Sequence, residues 1–79
     1  MKSSRWKQMY FNQEIDCWIV DWGDQTGYKM RCVEWFDLYL GYGKVLSCRL
    51  ELGSDWYIIT GQHEVRFYLK QNETYQVDV

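Results

Sequence analysis

Proline is absent from this 79-residue chain, histidine occurs once, and cysteine occurs three times. No apolar stretch approaches the roughly 18 residues that a membrane-spanning helix needs, so we expect no transmembrane helix. The first residues do not combine a charged start with an apolar middle, so we expect no secretory signal and a cytoplasmic protein. Nine basic and eleven acidic side chains give a net charge of −2, which argues against a general binder of duplex DNA.

The cysteines, Cys17, Cys32 and Cys48, are odd in number and form no Cys-x-x-Cys pair. We therefore expect reduced thiols buried in the core rather than disulfides. Together with His63 they could formally make a Cys₃His zinc site. The four residues are 15, 16 and 15 positions apart, which is about the length of a strand plus a turn, so a run of hairpins would produce this spacing without metal. Structural zinc sites, moreover, usually take their ligands in close pairs. We predict no metal and no cofactor.

Aromatic side chains are what the chain has in excess: five Trp, seven Tyr and three Phe. Each buries roughly 150–250 Å², which helps so short a chain to form a core without disulfides or metal. Nothing in the composition divides the chain. We predict a single domain over residues 1–79, with an N-terminal segment (1–14) and a β-barrel (15–79).

Polar turn segments, most of them containing glycine, recur at intervals of about 8–12 residues, which is typical of a small β-sandwich or barrel. They lie at residues 23–27, 41–43, 53–55, 61–63 and 71–73. This spacing leaves no room for helical crossovers, so the strands should pair antiparallel. We predict an all-β fold, a small antiparallel SH3-like or OB-like barrel of about six strands.

Between the turns, apolar and polar residues alternate with period two, which indicates strands buried on one face. Around residue 37, for example, Phe36 and Leu38 face one way while Trp35 and Tyr39 face the other. The residues predicted to face inward are Tyr28, Met30, Cys32, Phe36, Leu38, Leu40, Leu46, Cys48, Leu50, Leu52, Val65, Phe67, Leu69, Tyr75, Val77 and Val79. Trp56 is predicted to be a central core aromatic.

Two segments, residues 15–22 and 56–59, are apolar on both faces and are either covered twice or expose a patch. Trp18 and Trp22 are accordingly core residues or part of an exposed patch that marks a binding site or a homodimer seam. Residues 3–11 fit a short helix capped by a serine, or an edge strand. We favour the helix or irregular structure.

The outward face combines basic and aromatic side chains, and it is our candidate binding surface. Its residues are Lys29, Arg31, Trp35, Tyr39, Arg49, Tyr57, Arg66 and Tyr68. On such a surface, aromatic rings can stack on the bases of single-stranded nucleic acid while basic groups neutralise its phosphates. Trp, Tyr and Arg are, however, also the residue types enriched in protein–protein hot spots. Nearby acidic residues, among them Asp37, Glu51, Asp55 and Glu64, would repel phosphate. We therefore expect a protein partner, with nucleic acid and a purely structural or oligomeric role as alternatives.

No arrangement of residues indicates catalysis. His63 falls in a predicted turn, where it should be solvated. The thiols fall on predicted inward faces, where they are inert. Gly41-Tyr42-Gly43-Lys44 is too short for a phosphate-binding loop. We predict a non-enzymatic protein with no catalytic residues.

Residues 17–79 contain an ordered series of short motifs: Met30-Arg31-Cys32-Val33-Glu34, Arg49-Leu50-Glu51, Asp55-Trp56-Tyr57 and Val65-Arg66. In this order the motifs resemble a family of small domains of unknown function from Gram-positive bacteria, often carried by phages and other mobile elements. Members tend to have glycine before the glutamate where this chain has Val33. The resemblance implies a compact β-barrel, an origin in a mobile element and no catalysis. By analogy we expect an inhibitor or modulator of a host or defence protein.

Overall fold

The computed structural model describes residues 5–21, 27–61 and 65–79, and all regular structure in these ranges is β-strand. The strands are β1 (Lys7–Asn12), β2 (Cys17–Asp21), β3 (Gly27–Lys29), β4 (Trp35–Gly41), β5 (Lys44–Leu52), β6 (Trp56–Thr60), β7 (Val65–Tyr68) and β8 (Tyr75–Asp78). They form one antiparallel sheet in the order β3-β2-β1-β8-β4-β5-β6-β7. The all-β antiparallel prediction is confirmed, with eight strands where about six were expected. The described residues include no helix that could span a membrane.

The N-terminal segment supplies a strand of the sheet, so the helix expected within residues 3–11 is wrong. β1 lies between β2 and β8, with Met9 opposite Val20 on one side and Tyr75 on the other. A helix this short is marginally stable in water, whereas a strand with two neighbours satisfies its backbone on both sides. Two-sided pairing therefore outweighs the helical spacing of Trp6, Met9 and Tyr10.

The sheet is strongly curved, and the connection between β3 and β4 shows how strongly. β3 and β5 are five positions apart in the sheet order, which would separate them by about 24 Å in a flat sheet. Yet the N–H of Val33 donates to the carbonyl of Leu50 in β5, and the four residue-to-residue steps from Lys29 to Val33 span at most about 14 Å. The sheet therefore curls into a barrel-like shape, closed by residues 30–34 rather than by pairing of β3 with β7.

One core fills the inside of the curl. Its fully buried side chains are Met9, Trp18, Val20, Met30, Cys48, Leu50, Ile58 and Val77. Trp56 joins them, as predicted, and the indole N–H groups of Trp18 and Trp56 are buried with no acceptor among the described residues. Because Trp18 is fully buried, it cannot form a homodimer seam. Trp22 lies outside the described residues.

Strand β2 is buried on both faces, which is one of the two outcomes that its two-sided apolar pattern left open. Cys17 and Ile19 on one side are as well covered as Trp18 and Val20 on the other. Ile15, however, precedes the strand in a turn and is half exposed.

Several residues predicted to be buried lie on the inner side of the sheet but remain exposed. They are Leu40, Leu52, Val65 and Phe67. Leu40 and Leu52 stand near strand ends, and Val65 and Phe67 belong to β7, which has a single neighbour, β6, among the described residues. The alternation gives the face of a strand correctly, but it does not show whether anything covers that face.

Cys32 is also exposed, contrary to the prediction of a buried thiol. The chain leaves β3 at Lys29, and Val33 adopts a left-handed backbone conformation with φ 71°. This turn interrupts the alternation that would have carried Cys32 inward. The alternation is restored at Phe36, which is buried.

Candidate binding surface

Six of the eight predicted site residues lie on the outer side of strands β4 to β7, which we call the outer face. They are Trp35, Tyr39, Arg49, Tyr57, Arg66 and Tyr68. Strand register places Trp35 opposite Arg49 and Tyr57 opposite Tyr68. The other two, Lys29 and Arg31, are exposed but lie in and just after β3, outside this group.

Arg49 links an exposed ring to a carboxylate. Its guanidinium carbon lies 5.6 Å from the centre of the Trp35 ring, and its Nε donates to Glu51 Oε2 at 2.6 Å. Arg49 and Glu51 are largely covered, with side chains 30% and 18% exposed, whereas Trp35 is 57% exposed. Glu51 also accepts a long 3.8 Å contact from the Cys32 thiol. The charge of Arg49 is thus compensated within the surface itself.

A second aromatic group lies at the β7 side of the outer face. The rings of Tyr57 and Tyr68 are 5.4 Å apart between centroids, and the guanidinium of Arg66 lies 5.1 Å from the Tyr57 ring centre. Tyr68 is 60% exposed. No carboxylate within the described ranges is paired with Arg66, so its charge is held by a ring rather than by an acid.

Arg5 and Trp6 also belong to this surface, although neither was among the residues predicted to form it. Arg5 contacts Asp37 Oδ2 through Nη2 at 3.2 Å and Asp78 Oδ2 through Nε at 3.1 Å. Trp6 packs on Tyr39 with ring centroids 5.1 Å apart. No signal in the sequence could have shown this, because it depends on β4 pairing with β8, which brings the two aspartates opposite each other.

The electrostatics of the outer face are mixed rather than basic. Asp37 accepts from Ser47 Oγ at 2.8 Å as well as from Arg5, and Glu51 holds Arg49. An approaching phosphate would therefore meet carboxylates beside each of these arginines and be repelled by them. A protein surface carrying both signs of charge fits this pattern better.

Two features of the described residues concern metal binding and thiol chemistry. They contain no group of three or more His, Cys, Asp or Glu side chains that could hold a metal. Burial raises the pKa of the Cys48 thiol to about 12, which makes it a poor nucleophile. Cys17, Cys32 and Cys48 are all free thiols. His63 and Glu64 lie outside the described residues, as does most of the turn predicted at residues 61–63.

Comparison with known proteins assigns the chain to a family. A family model described as Domain of unknown function (DUF5348) matches residues 7–79, a span that includes all eight strands. No curated protein and no solved structure matches the chain. The expected resemblance to a family of domains of unknown function is therefore confirmed, and the match begins at β1, ten residues before the stretch of residues 17–79 that suggested it. The chain belongs to the DUF5348 family.

Proposed function

We propose that this domain binds another protein through the outer face of strands β4 to β7. The observation that carries the proposal is a charge-compensated aromatic pair within this face: exposed Trp35, whose ring centre lies 5.6 Å from the guanidinium carbon of Arg49, which Glu51 neutralises at 2.6 Å. Large rings and arginine contribute most at protein interfaces. A neutralised arginine still offers donors to a partner but gives little attraction to a polyanion.

The surface is also held in place before any partner arrives. Arg49 lies between a ring and a carboxylate, and Tyr57 lies between Tyr68 and Arg66. Fixing these side chains in the free protein reduces the entropy that binding would otherwise cost, about 0.5–1.5 kcal/mol for each immobilised side chain. This supports a recognition surface rather than a merely solvated one.

Within this proposal, the partner is a host or defence protein, and the domain is a non-enzymatic inhibitor or modulator carried by a phage or another mobile element. The resemblance of residues 17–79 to domains carried by phages and other mobile elements supports this assignment. The free thiols of Cys17, Cys32 and Cys48 support a reducing compartment such as the cytoplasm.

Affinity capture from the native host tests the proposal when variants are compared side by side. Trp35→Ala and Tyr68→Ala each remove an exposed ring of the outer face. Tyr42→Asn is the matched control, because Tyr42 is a fully exposed ring on the β4–β5 turn and asparagine tolerates its φ of 54°. We expect one host protein to be captured by the native chain and the control and lost with both outer-face variants. Capture that survives both variants would overturn the proposal.

Single-stranded nucleic acid is the alternative that one observation favours, namely Arg66 resting on Tyr57 beside exposed Tyr68. Titration with single-stranded DNA and RNA, followed by tryptophan fluorescence at about 150 mM salt, separates the two. We expect no saturable quenching. Saturable quenching that weakens steeply with added salt and is lost in Arg66→Ala would replace protein binding with nucleic-acid binding.

A further inference from the structure

Among the described residues, strand β7 is an open and unusually apolar sheet edge. All four of its side chains are exposed, including Val65 at 47%, Phe67 at 52% and Tyr68 at 60%. Exposed hydrophobic edges invite pairing with another chain, and proteins usually block them with charge, proline or a bulge. The opposite edge, β3, has only three residues. β7 is therefore the edge at which another strand can add.

The backbone of β7 presents free hydrogen-bonding groups outward. The N–H of Leu69, just past the strand, donates to the carbonyl of Trp56 at 3.2 Å. Because backbone groups alternate between the two sides of a strand, residues 65, 67 and 69 point to β6. The N–H and C=O groups of Arg66 and Tyr68 consequently point away from the sheet and can accept a second strand.

The inner side of this edge continues into an apolar groove of about 270 Å³. Among its lining residues are Leu40, Leu46, Phe67 and Leu69. Leu40 and Phe67 are more than half exposed. A strand added to β7 would extend the sheet beside the groove, so that its inward side chains lie next to these residues.

We propose that the occupant of this edge is a second copy of the same chain, paired antiparallel through β7 and centred on Phe67. In this register Phe67 faces the partner's Phe67, and Val65 faces the partner's Leu69 on the inner side. On the outer side, Arg66 faces the partner's Tyr68. Apolar residues thus meet apolar ones, and each arginine meets a ring, an arrangement that favours cation–π contact.

Repulsion between like charges disfavours the two adjacent registers and so favours the one centred on Phe67. Only registers that keep inner residues opposite inner residues preserve the two faces of the sheet. Centring on Arg66 instead would bring the two arginines together, and centring on Tyr68 would bring Arg66 opposite the partner's Lys70. Like charges directly opposite are destabilising. Centring on Phe67 avoids both clashes and forms two hydrogen-bonded pairs from the outward groups of Arg66 and Tyr68.

The mass of the protein in solution, measured by sedimentation and light scattering from micromolar to millimolar concentration, gives the first test. We expect a concentration-dependent dimer. Arg66→Pro removes an N–H that points away from β6, so it should give a monomer with an unchanged circular dichroism spectrum. Arg66→Ala is the comparison, since it keeps the N–H and loses only the side-chain contact with the partner's Tyr68, so it should still dimerise, though less tightly than the native chain. A native chain that stays monomeric, or an Arg66→Pro chain that stays dimeric, overturns the proposal.

Two substitutions of one residue test the register. Tyr68→Lys and Tyr68→Glu remove the same ring contact with Tyr57, but they place opposite charges against the partner's Arg66. At low salt we expect the Tyr68→Lys dimer to dissociate about tenfold more readily than the Tyr68→Glu dimer. Equal dissociation constants, or the reverse order, would contradict the pairing.

Cross-linking tests the same register through distance. In a Cys32→Ser background, Phe67→Cys should form a covalent dimer with copper phenanthroline as oxidant, because the two residues would be a close pair about 4.5 Å apart. Val65→Cys should not, since its opposite residue is the partner's Leu69. Cross-linking at position 65 but not 67, or equally at both, would exclude the proposed dimer.

Discussion

The hydroxyl of Tyr28 donates a 2.6 Å hydrogen bond to Glu34 Oε2, joining β3 to the residue just before β4 across the curl of the sheet. The other carboxylate oxygen of Glu34 accepts the backbone N–H of Arg31 at 3.1 Å. Glu34 in turn bonds β5, because its carbonyl accepts the N–H of Leu50 at 2.9 Å. One carboxylate and its own backbone therefore hold the closing connection.

Tyr28→Phe should lower the free energy of unfolding by about 1–2 kcal/mol at neutral pH, because it removes a partly buried hydrogen bond to a charged group. The hydrogen bond to Glu34, with burial, raises the pKa of Tyr28 above 10.0. The neutral phenol is thus favoured in the folded state. Its contribution is fully present below pH 10.0 and is lost as the pH rises through the folded pKa.

Urea unfolding at a series of pH values checks this expectation. The gap in stability between the native chain and Tyr28→Phe should narrow above pH 10. Tyr42→Phe is the control, since Tyr42 is fully exposed, and it should follow the native curve throughout. A gap that stays constant to high pH would show that the hydroxyl makes no such contribution.

Val33→Gly should stabilise the protein by about 1 kcal/mol. Val33 has φ 71°, a conformation that is strained for a β-branched residue and free for glycine. The backbone strain that glycine removes is larger than the free-energy cost of the extra entropy that glycine gives to the unfolded chain. It would also restore the residue that the family resemblance indicates at this position.

Val45→Gly is the counterpart, because Val45 is a partly exposed valine inside strand β5. Glycine in a strand weakens it, so this variant should unfold at a lower temperature while Val33→Gly unfolds at a higher one. The thermal unfolding temperatures of the two variants test this expectation. A lower unfolding temperature for Val33→Gly as well as for Val45→Gly would refute the argument that Val33 is strained.

Thiol labelling should distinguish the three cysteines. Cys32 is exposed, whereas Cys17 and Cys48 are buried, and the raised pKa of Cys48 suppresses its thiolate further. With iodoacetamide at neutral pH we expect one rapid modification, located at Cys32 by mass spectrometry, and three in urea. Cys32→Ser should abolish the rapid one. Rapid labelling of Cys48 in the folded protein would contradict the burial described here.

Leu50 and Leu52 share strand β5 and its inner side but differ in burial, since Leu50 is fully buried and Leu52 is 47% exposed. Leu50→Ala should cost about 2–5 kcal/mol through lost burial and a cavity. Leu52→Ala should cost less than about 1 kcal/mol, as a surface substitution. Urea unfolding measures both losses of stability. Equal losses for the two variants would contradict the exposure of Leu52 at the end of β5.

The sequence alone predicted the strand faces well, because period-two alternation directly reflects the pleat of a strand. Phe36 and Leu38 point inward and Trp35 outward, as expected. The alternation failed at Cys32, where the chain turns at Val33. It also could not tell that Phe67 would face a groove rather than a filled core, since covering depends on what lies beyond the strand.

The candidate surface was partly predictable for the same reason. Strand phase predicted that Trp35, Arg49, Tyr57 and Tyr68 share one face, which they do, and the register sets Trp35 opposite Arg49 and Tyr57 opposite Tyr68. Arg5 was missed because its two acidic partners come together only through a long-range pairing of strands. Sequence periodicity carries no information about contacts of that kind.

The two buried indoles, which have no hydrogen-bond acceptor in the part of the chain that the structure describes, give the protein a built-in optical signal. Trp18 and Trp56 are buried, so they should emit at short wavelength and resist quenching by acrylamide or iodide. Trp35 is in water and should emit at longer wavelength and be quenched readily. Selective quenching therefore reads the outer face and the core separately in the unlabelled chain, so occlusion of Trp35 by a partner can be followed without any attached dye.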